Sequence, residues 1–177
     1  MGLWYNCGNG YVKISLARER NNCSAFICCP GPSLSSINPT YLNGHNRIVF
    51  SLNNSYPFVR PDIWVGMDEP NGYSSDLYTQ PFMKIMRGPH CDLTSRGKQI
   101  NQNWNLFYAN VEKPKDQLDI FLLRKNDINF VWNGNTFATA LHIAMWMGCK
   151  EFFLFGCDLD NSEKDYFNKI KLKEKQK

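Results

Sequence analysis

Residues Ser24 to Leu34 read SAFICCPGPSL, an apolar run that ends in a turn rich in proline and glycine. The run from Ala25 to Cys29 is too short for an amphipathic helix and is bounded by turn residues, which favours a buried central strand. Pro30 and Pro32 end this strand because proline removes donors from the hydrogen-bond ladder. Ser33 is well placed to cap a short helical turn.

A second stretch, Gly134 to Leu159, reads GNTFATALHIAMWMGCKEFFLFGCDL. From Thr136 the apolar residues recur at helical spacing, with Asn135 or Thr136 as the N-cap and Gly148 at the end of the helix. Residues 150–155 then read as a strand that ends at Gly156-Cys157-Asp158. A helix, a tight turn and a strand are half of a right-handed crossover between parallel strands.

The rest of the chain adds strands and one irregular region. Between residues 52 and 62 the connection is broken by prolines and leaves little room for a helix. The remaining predictions are a hairpin within residues 1–22 that turns at residues 8–10, strands at 47–52, 62–67 and 104–111, an irregular segment at 71–102 with a helical turn at 82–86, and an element of undecided type at 118–123.

Composition and charge indicate a globular protein whose positive charge is concentrated at one end. The chain of 177 residues is 43% hydrophobic and 20% charged, with a net charge of +4. Residues 163–177 hold six lysines and three acidic residues, which gives +3 of that total. We therefore predict one domain over residues 1–162, a lysine-rich terminal helix or tail over 163–177, and no nucleic-acid surface on the body.

The seven cysteines are odd in number and show no Cys-x-x-Cys spacing, which argues against a structural zinc site. Cys28 and Cys29 are adjacent in a predicted strand, so their side chains should point to opposite faces and should not pair. No segment resembles a signal peptide or is apolar over the ~18–20 residues of a membrane span. These features predict reduced cysteines in a cytoplasmic protein.

Polar or glycine-rich turns follow several predicted strands, at the sheet edge where ligands bind in open α/β folds. Backbone N–H groups in such turns and at helix starts suit phosphate oxygens, and asparagine side chains suit a base or a sugar. A cap, a turn or a loop carboxylate is the alternative explanation for these residues without a ligand, although two asparagines in a row at a strand end favour a ligand contact for one of them. The candidate nucleotide-binding residues are Gly31, Pro32, Ser33, Asn53, Asn54, Asp68, Asn135, Thr136 and Asp158.

Residues with catalytic or metal-binding chemistry are few. His90, beside Arg87 and Cys91, is the candidate general base, because His142 lies in an apolar helix and is expected to be packed. Asp158 and Asp160 could hold a divalent cation, but one such pair in a turn predicts no metal site. The chain contains neither a dinucleotide-binding GxGxxG nor a phosphate-binding GxxxxGK[ST] motif.

Three blocks in order, residues 27–34 (ICCPGPSL), 49–56 (VFSLNNSY) and 140–158 (ALHIAMWMGCKEFFLFGCD), resemble two related groups. One is the bacterial sialyltransferases of glycosyltransferase family 42, and the other is the superfamily of 6-hydroxymethylpterin pyrophosphokinase-like proteins. The resemblance implies a Rossmann-like α/β fold, a mostly parallel sheet flanked by helices with an irregular insertion. It also implies that Gly31, Pro32, Ser33 and Asn53 hold the CMP part of a CMP-sugar donor, and that Asn135 and Thr136 contact it.

The same comparison sets the expected activity and its alternatives. The leading prediction is a glycosyltransferase that uses a CMP-sugar-type donor and requires no cofactor. The first alternative is a pyrophosphokinase-like enzyme with ATP and Mg²⁺, with Asp68 or Asp158 near the metal. The second is a non-catalytic ligand-binding domain, since the family's catalytic histidine follows the Gly-x-Asp strand and no histidine follows Asp158 here. A truncated reading frame would give the same pattern.

Overall fold

The structure is a computed structural model of the 177-residue chain. It describes residues 3–6, 11–14, 23–88, 94–95, 98–99, 105–114 and 129–158. The lysine-rich end, residues 118–123 and the expected hairpin turn at residues 8–10 lie outside these ranges.

The described residues form twelve strands, two α-helices and several short 3₁₀-helices. The strands are β1 (Leu3–Asn6), β2 (Tyr11–Ile14), β3 (Ser24–Cys28), β4 (Arg47–Leu52), β5 (Ile63–Gly66), β6 (Met83–Arg87), β7 (Thr94–Ser95), β8 (Lys98–Gln99), β9 (Leu106–Ala109), β10 (Val111–Glu112), β11 (Phe130–Val131) and β12 (Glu151–Phe155). The helices are α1 (Tyr56–Val59) and α2 (Thr136–Trp146), with 3₁₀-helices at Pro32–Ser36, Pro39–Leu42, Asn53–Ser55, Pro70–Gly72 and Ser75–Thr79.

Eight of these described strands form one sheet in the order β12-β3-β4-β5-β6-β9-β1-β2. The strands from β12 to β9 are parallel, whereas β1 runs antiparallel to both β9 and β2. The expected α/β architecture with a mostly parallel sheet is therefore confirmed. From β3 the chain adds strands in one direction as far as β9, and β12 then returns to the other side of β3. The strand order thus reverses between β3 and β12.

The central strands are buried on both faces, as expected for a parallel sheet. Every residue of β5 is buried, and so is every residue of β4 after Arg47. One face packs against α2 in a cluster that includes Ile27, Phe50 and Ile143, whereas Cys28 lies in a separate cluster with Phe26 and Leu34. Cys28 and Cys29 therefore face opposite sides of the sheet, as predicted.

Helices flank the sheet more sparsely than expected. Among the described residues, α2 is the only α-helix longer than one turn. The connection from β4 to β5 holds only a 3₁₀-turn and the four residues of α1, because Pro57 and Pro61 limit helix growth there. Aromatic side chains cover part of the second face instead, including Tyr56, Trp64 and Tyr108.

The helical turn expected at residues 82–86 is wrong, because this segment forms β6. Lys84 is completely buried in β6, where its Nζ donates to the carbonyl oxygens of Gln80 (2.6 Å) and Phe82 (3.0 Å). A segment with a lysine three residues after Pro81 does not resemble a central strand in sequence. The apolar residues Ile85 and Met86 nevertheless place the segment between β5 and β9.

The ends of α2 follow the sequence prediction. The Asn135 side chain accepts from the Phe137 N–H at 2.8 Å, which caps the first turn. Gly148 adopts φ +92° just after the last turn, the left-handed conformation that glycine supplies at helix ends. Ser33, by contrast, lies inside the helix Pro32–Ser36, whose N-cap is Gly31. No helix within the described ranges is long and apolar enough to cross a membrane.

Candidate ligand-binding cleft

A cavity of about 530 Å³ opens at the carboxyl ends of β3, β4 and β12. It is lined by residues 29–31 after β3, Asn53 after β4, residues 135–137 at the start of α2, and Leu154 with residues 156–158 on β12 and beyond. The cleft therefore lies where the strand order reverses, which is the usual ligand position in open α/β sheets. Its volume is within the range typical of small-molecule sites.

The turns after β3 and β12 are held together by two hydrogen bonds. The Gly31 N–H donates to the Gly156 carbonyl oxygen at 2.9 Å, and the Ser33 N–H donates to Asp158 Oδ2 at 2.7 Å. A carboxylate and a carbonyl oxygen thus already accept from the two N–H groups that an anion in this turn would use. The Asp158 carboxylate also brings negative charge to this wall of the cleft.

The close approach of the two turns explains why residue 31 is glycine. A Cβ on Gly31 would collide with the Gly156 carbonyl oxygen and would lie 2.5 Å from Asp158 Oδ2. A larger residue there would separate the turns whether or not a ligand binds. Substitution of Gly31 is therefore a test of the fold and is unsuitable as a test of binding.

Asn53 connects the end of β4 to the start of α2. Its backbone has φ +51°, a left-handed conformation that asparagine tolerates better than most residues. Its carbonyl oxygen accepts from Trp64 Nε1 at 2.6 Å, and its Oδ1 accepts from the hydroxyls of Tyr73 (3.2 Å) and Thr136 (3.3 Å). The amide oxygen is thus used inside the protein, and the Asn53 NH₂ group is the part of this side chain suited to a ligand acceptor.

A buried serine fixes the turn that carries Asn53. Ser55 Oγ lies 2.8 Å from Ser51 Oγ and 2.8 Å from the Cys28 carbonyl oxygen, and it accepts from the Leu52 N–H at 3.0 Å. Ser51 and Ser55 are both fully buried. This network joins the carboxyl ends of β3 and β4, so the first and second sequence blocks reach the cleft as one unit.

The start of α2 gives the cleft its positive electrostatic end. The helix has eleven residues, and its first N–H groups carry the positive part of the helix dipole. Residues 135–137 line the cleft, with Phe137 supplying an apolar surface. The N-terminal turn of α2 therefore favours an anionic group, whereas the Asp158 wall disfavours one.

The cleft gathers five of the predicted residues, which are Gly31, Asn53, Asn135, Thr136 and Asp158. Pro32, Ser33 and Asn54 lie in the adjoining 3₁₀-helices and do not line the cavity. Asp68 is exposed beyond the end of β5, also away from the cavity, and its N–H donates to the Tyr73 hydroxyl at 3.1 Å. His90 and Asp160 lie outside the described residues.

His142 is buried in α2, as the sequence predicts. Its Nδ1 accepts from the Val131 N–H at 2.9 Å, and the Thr139 hydroxyl donates to the Val131 carbonyl oxygen at 2.9 Å. These two contacts attach β11 to α2. His142 therefore has a structural role at a distance from the cleft lining.

Two cysteines in the cleft were not among the predicted site residues. Cys29 and Cys157 have their Sγ atoms 3.1 Å apart, and both line the cavity. The hydrogen bond between the two Sγ atoms lowers the pKa of Cys157, although burial and Asp158 act in the opposite direction. The same bond, together with burial, raises the pKa of Cys29. The sequence signal that could have identified them is their position within two residues of the ends of β3 and β12.

Within the described ranges, no group of three or more histidine, cysteine or acidic side chains is arranged to hold a metal ion. Comparisons with protein-family models, with curated proteins and with solved structures gave no match to this chain.

Proposed function

We propose that this chain is a cytoplasmic, Rossmann-like nucleotide-binding domain whose ligand occupies the cleft at the carboxyl ends of β3, β4 and β12. The activity proposed with it is sugar transfer from a CMP-sugar-type donor, as the resemblance to family 42 sialyltransferases implies. A domain that binds the nucleotide without transferring a sugar is the second candidate. This second candidate is supported by the described lining of the cleft. Its ionisable side chains are one carboxylate and two thiols, with no histidine to act as a general base.

One observation carries this proposal, namely the convergence of the three sequence blocks on one cavity. Residues 29–31, Asn53 and residues 156–158 are far apart in sequence, yet all line the same space of about 530 Å³. All three blocks resemble parts of nucleotide-dependent enzymes. Their meeting at the reversal of strand order supports a shared ligand.

The electrostatics of the cleft orient the proposed nucleotide. The ribose hydroxyls donate to the Asp158 carboxylate, since a carboxylate is a strong acceptor for hydroxyl groups. The phosphate lies at the start of α2, near residues 135–137, where the helix dipole is favourable. We propose this position rather than the turn of residues 31–33, because the Asp158 carboxylate that accepts from the Ser33 N–H would repel a phosphate there.

In the proposed transfer, an acceptor hydroxyl attacks the anomeric carbon of the donor sugar. The new bond joins the acceptor oxygen to that carbon, and the bond from the carbon to the phosphate oxygen breaks, so CMP leaves with the electron pair. A general base takes the hydroxyl proton. His90 is the candidate for that base from the sequence.

Binding is tested by titrating the full-length chain with cytidine, CMP, CDP, UDP, ADP and ATP, each with and without Mg²⁺, and following the unfolding temperature. We expect CMP to stabilise the protein without metal, by about 2.7 kcal/mol at a concentration of one hundred times its Kd. A shift that requires ATP and Mg²⁺ would instead support the pyrophosphokinase-like alternative. No shift with any of these nucleotides would overturn the binding proposal.

The orientation is tested with Asp158→Asn, because the amide oxygen can still accept from the Ser33 N–H while the charge is lost. We expect about fivefold weaker binding of both cytidine and CMP, since a hydrogen bond to a charged acceptor is stronger by about 1 kcal/mol. Asp62→Asn is the matched control, because Asp62 Oδ2 also accepts a single backbone N–H, that of Val49 at 2.9 Å, outside the cleft. Tighter CMP binding by Asp158→Asn would place the phosphate against residue 158 and refute the orientation.

Transfer itself is tested by supplying a CMP-sugar with glycan acceptors and measuring release of CMP. Binding of CMP without release, in the presence of acceptors, would leave the non-catalytic domain as the function. Binding of CMP therefore tests the nucleotide site, and release of CMP tests sugar transfer.

A further inference from the structure

The two thiols in the cleft lie on neighbouring strand ends. Cys29 follows β3 and Cys157 follows β12, and the two strands are paired in parallel up to Cys28 and Phe155. The Sγ atoms are 3.1 Å apart, and both cysteines are free thiols. A disulfide has an S–S distance of about 2.05 Å, so bond formation needs an approach of only about 1 Å.

The backbone holds this pair in place. On one side the Cys29 N–H donates to the Phe155 carbonyl oxygen at 2.8 Å, and on the other the Gly31 N–H donates to the Gly156 carbonyl oxygen at 2.9 Å. Gly156 has φ +63° and lies directly against the Cys29 carbonyl oxygen, a position with no room for a Cβ. The turn at Gly156 therefore places Cys157 next to Cys29, and the backbone contacts of the two turns fix the distance between the thiols.

The two thiols differ in reactivity in a way that suits an ordered reaction. The thiolate is the form of cysteine that attacks disulfides. Cys157 is the less buried of the two and lines the cleft, and the contact between the two Sγ atoms lowers its pKa. Cys29 is more buried and keeps its proton more strongly. Cys157 is thus the attacking group and Cys29 the resolving group.

We propose that Cys29 and Cys157 form a redox-reactive dithiol site that low-molecular-weight disulfides convert to an intramolecular disulfide in the wall of the cleft. This goes beyond nucleotide binding and does not depend on it. It is compatible with the prediction of reduced cysteines, because the free thiols are the form from which the reaction starts.

The reaction balances in two exchange steps. The Cys157 thiolate attacks one sulfur of the small disulfide, the disulfide bond breaks, and one small thiolate leaves. Cys29 then loses its proton to solvent, and its thiolate attacks Sγ of Cys157 in the mixed disulfide, releasing the second small thiolate. The protein dithiol is oxidised by two electrons, and the small disulfide is reduced to two thiols.

The test uses the folded, full-length chain treated with oxidised glutathione, after which remaining thiols are alkylated and the chain is mapped by mass spectrometry. We expect a crosslink between the peptides containing Cys29 and Cys157, reversible with a dithiol reductant. A crosslinked peptide that pairs Cys157 with a different cysteine, or no crosslink to Cys157 with excess oxidant, would overturn the proposal.

The order of the steps is tested with Cys29→Ser, which removes the resolving thiol. We expect the glutathione adduct to accumulate on Cys157 in this variant, whereas Cys157→Ser should form neither the adduct there nor the crosslink. Cys23→Ser is the matched control, since Cys23 is a partly buried free thiol at the other end of β3, and it should retain the Cys29–Cys157 crosslink. If Cys29→Ser does not fold, the crosslink map of the unmodified sequence still decides the main proposal.

Discussion

The two halves of the parallel sheet both carry a ligand-sized cavity, but at opposite ends of their strands. In the half formed by β12, β3 and β4, the cavity of about 530 Å³ lies at the carboxyl ends. In the half formed by β5, β6 and β9, a cavity of about 670 Å³ lies before β5 and β6, lined by Arg60, Asp62 and Met83 among others. The larger cavity receives only Tyr56 from the three sequence blocks, whereas the smaller cavity receives residues from all three.

The two cavities differ in their position in the topology, and this position is the basis for proposing the smaller one as the ligand site. Prolines 57, 61 and 81 line the larger cavity, and its polar groups come from the short connections before β5 and β6. The smaller cavity receives a helix start and three strand ends at the reversal of strand order. At such a reversal the connections that follow the neighbouring strands leave in opposite directions, and a crevice forms between them.

The largest expected effect comes from disrupting the close contact between the turns after β3 and β12. Gly156→Ala should destabilise the protein by about 3 kcal/mol, because alanine is strained at φ +63° and its Cβ would collide with the Cys29 carbonyl oxygen. Gly72→Ala, after β5 in the other half, has open space around the added Cβ and should change stability by less than about 1 kcal/mol. Urea unfolding of both variants measures the contrast, and equal losses would contradict it.

The elements around the cleft were readable from the sequence because local signals agreed with one another. Strands β3, β4 and β12 are short apolar runs bounded by turn residues, and α2 begins at Asn135 and is followed by Gly148 in the predicted way. Five of the nine candidate binding residues line one cavity for the same reason, since parallel strands place the turns that follow them at one edge.

Two features of the sheet could not be predicted from the local sequence. Lys84 is buried in β6, where two carbonyl oxygens accept hydrogen bonds from its Nζ, and the sequence pattern does not predict this burial. The contact between Cys29 and Cys157 depends on strand pairing across 128 residues, and adjacent Cys28 gave no hint of which thiol would face the cleft. The position of β6 between β5 and β9 determines the burial of Lys84. The register between β3 and β12 determines the contact between Cys29 and Cys157.

The two halves also bury ionisable groups whose titration should act on stability with opposite signs. Burial lowers the pKa of Lys84 from 10.5 to about 8, and burial, with a smaller contribution from Cys157, raises the pKa of Cys28 from 9.0 to about 12. Between pH 8 and 10.5 the unfolded chain holds a proton on the Lys84 amine that the folded chain has lost, so this group makes stability rise with pH. Above pH 9 the unfolded chain ionises Cys28 while the folded chain does not, so that group makes stability fall.

Urea unfolding of Lys84→Met and Cys28→Ala at pH 7 and pH 10 separates these contributions. Relative to Lys84→Met, the unmodified sequence should gain on the order of 2 kcal/mol as the pH rises, because the cost of the buried charge disappears. Relative to Cys28→Ala it should lose stability over the same interval. Parallel pH profiles for the unmodified sequence and either variant would show that the group in question titrates normally.

The smallest expected effect on stability separates the capping role of Asn135 from its place in the cleft. Aspartate also caps helices, and its charge is favourable at a helix start, so Asn135→Asp should keep stability or raise it by about 0.3–1 kcal/mol. The same charge faces the cleft and should weaken binding of CMP more than binding of uncharged cytidine. Asn38→Asp is the matched control, because Asn38 caps the helix Pro39–Leu42 through the Thr40 N–H at 3.1 Å outside the cleft lining. Equal losses of CMP and cytidine binding in Asn135→Asp would mean that the phosphate is not near the start of α2, whereas a selective loss of CMP binding would place it there.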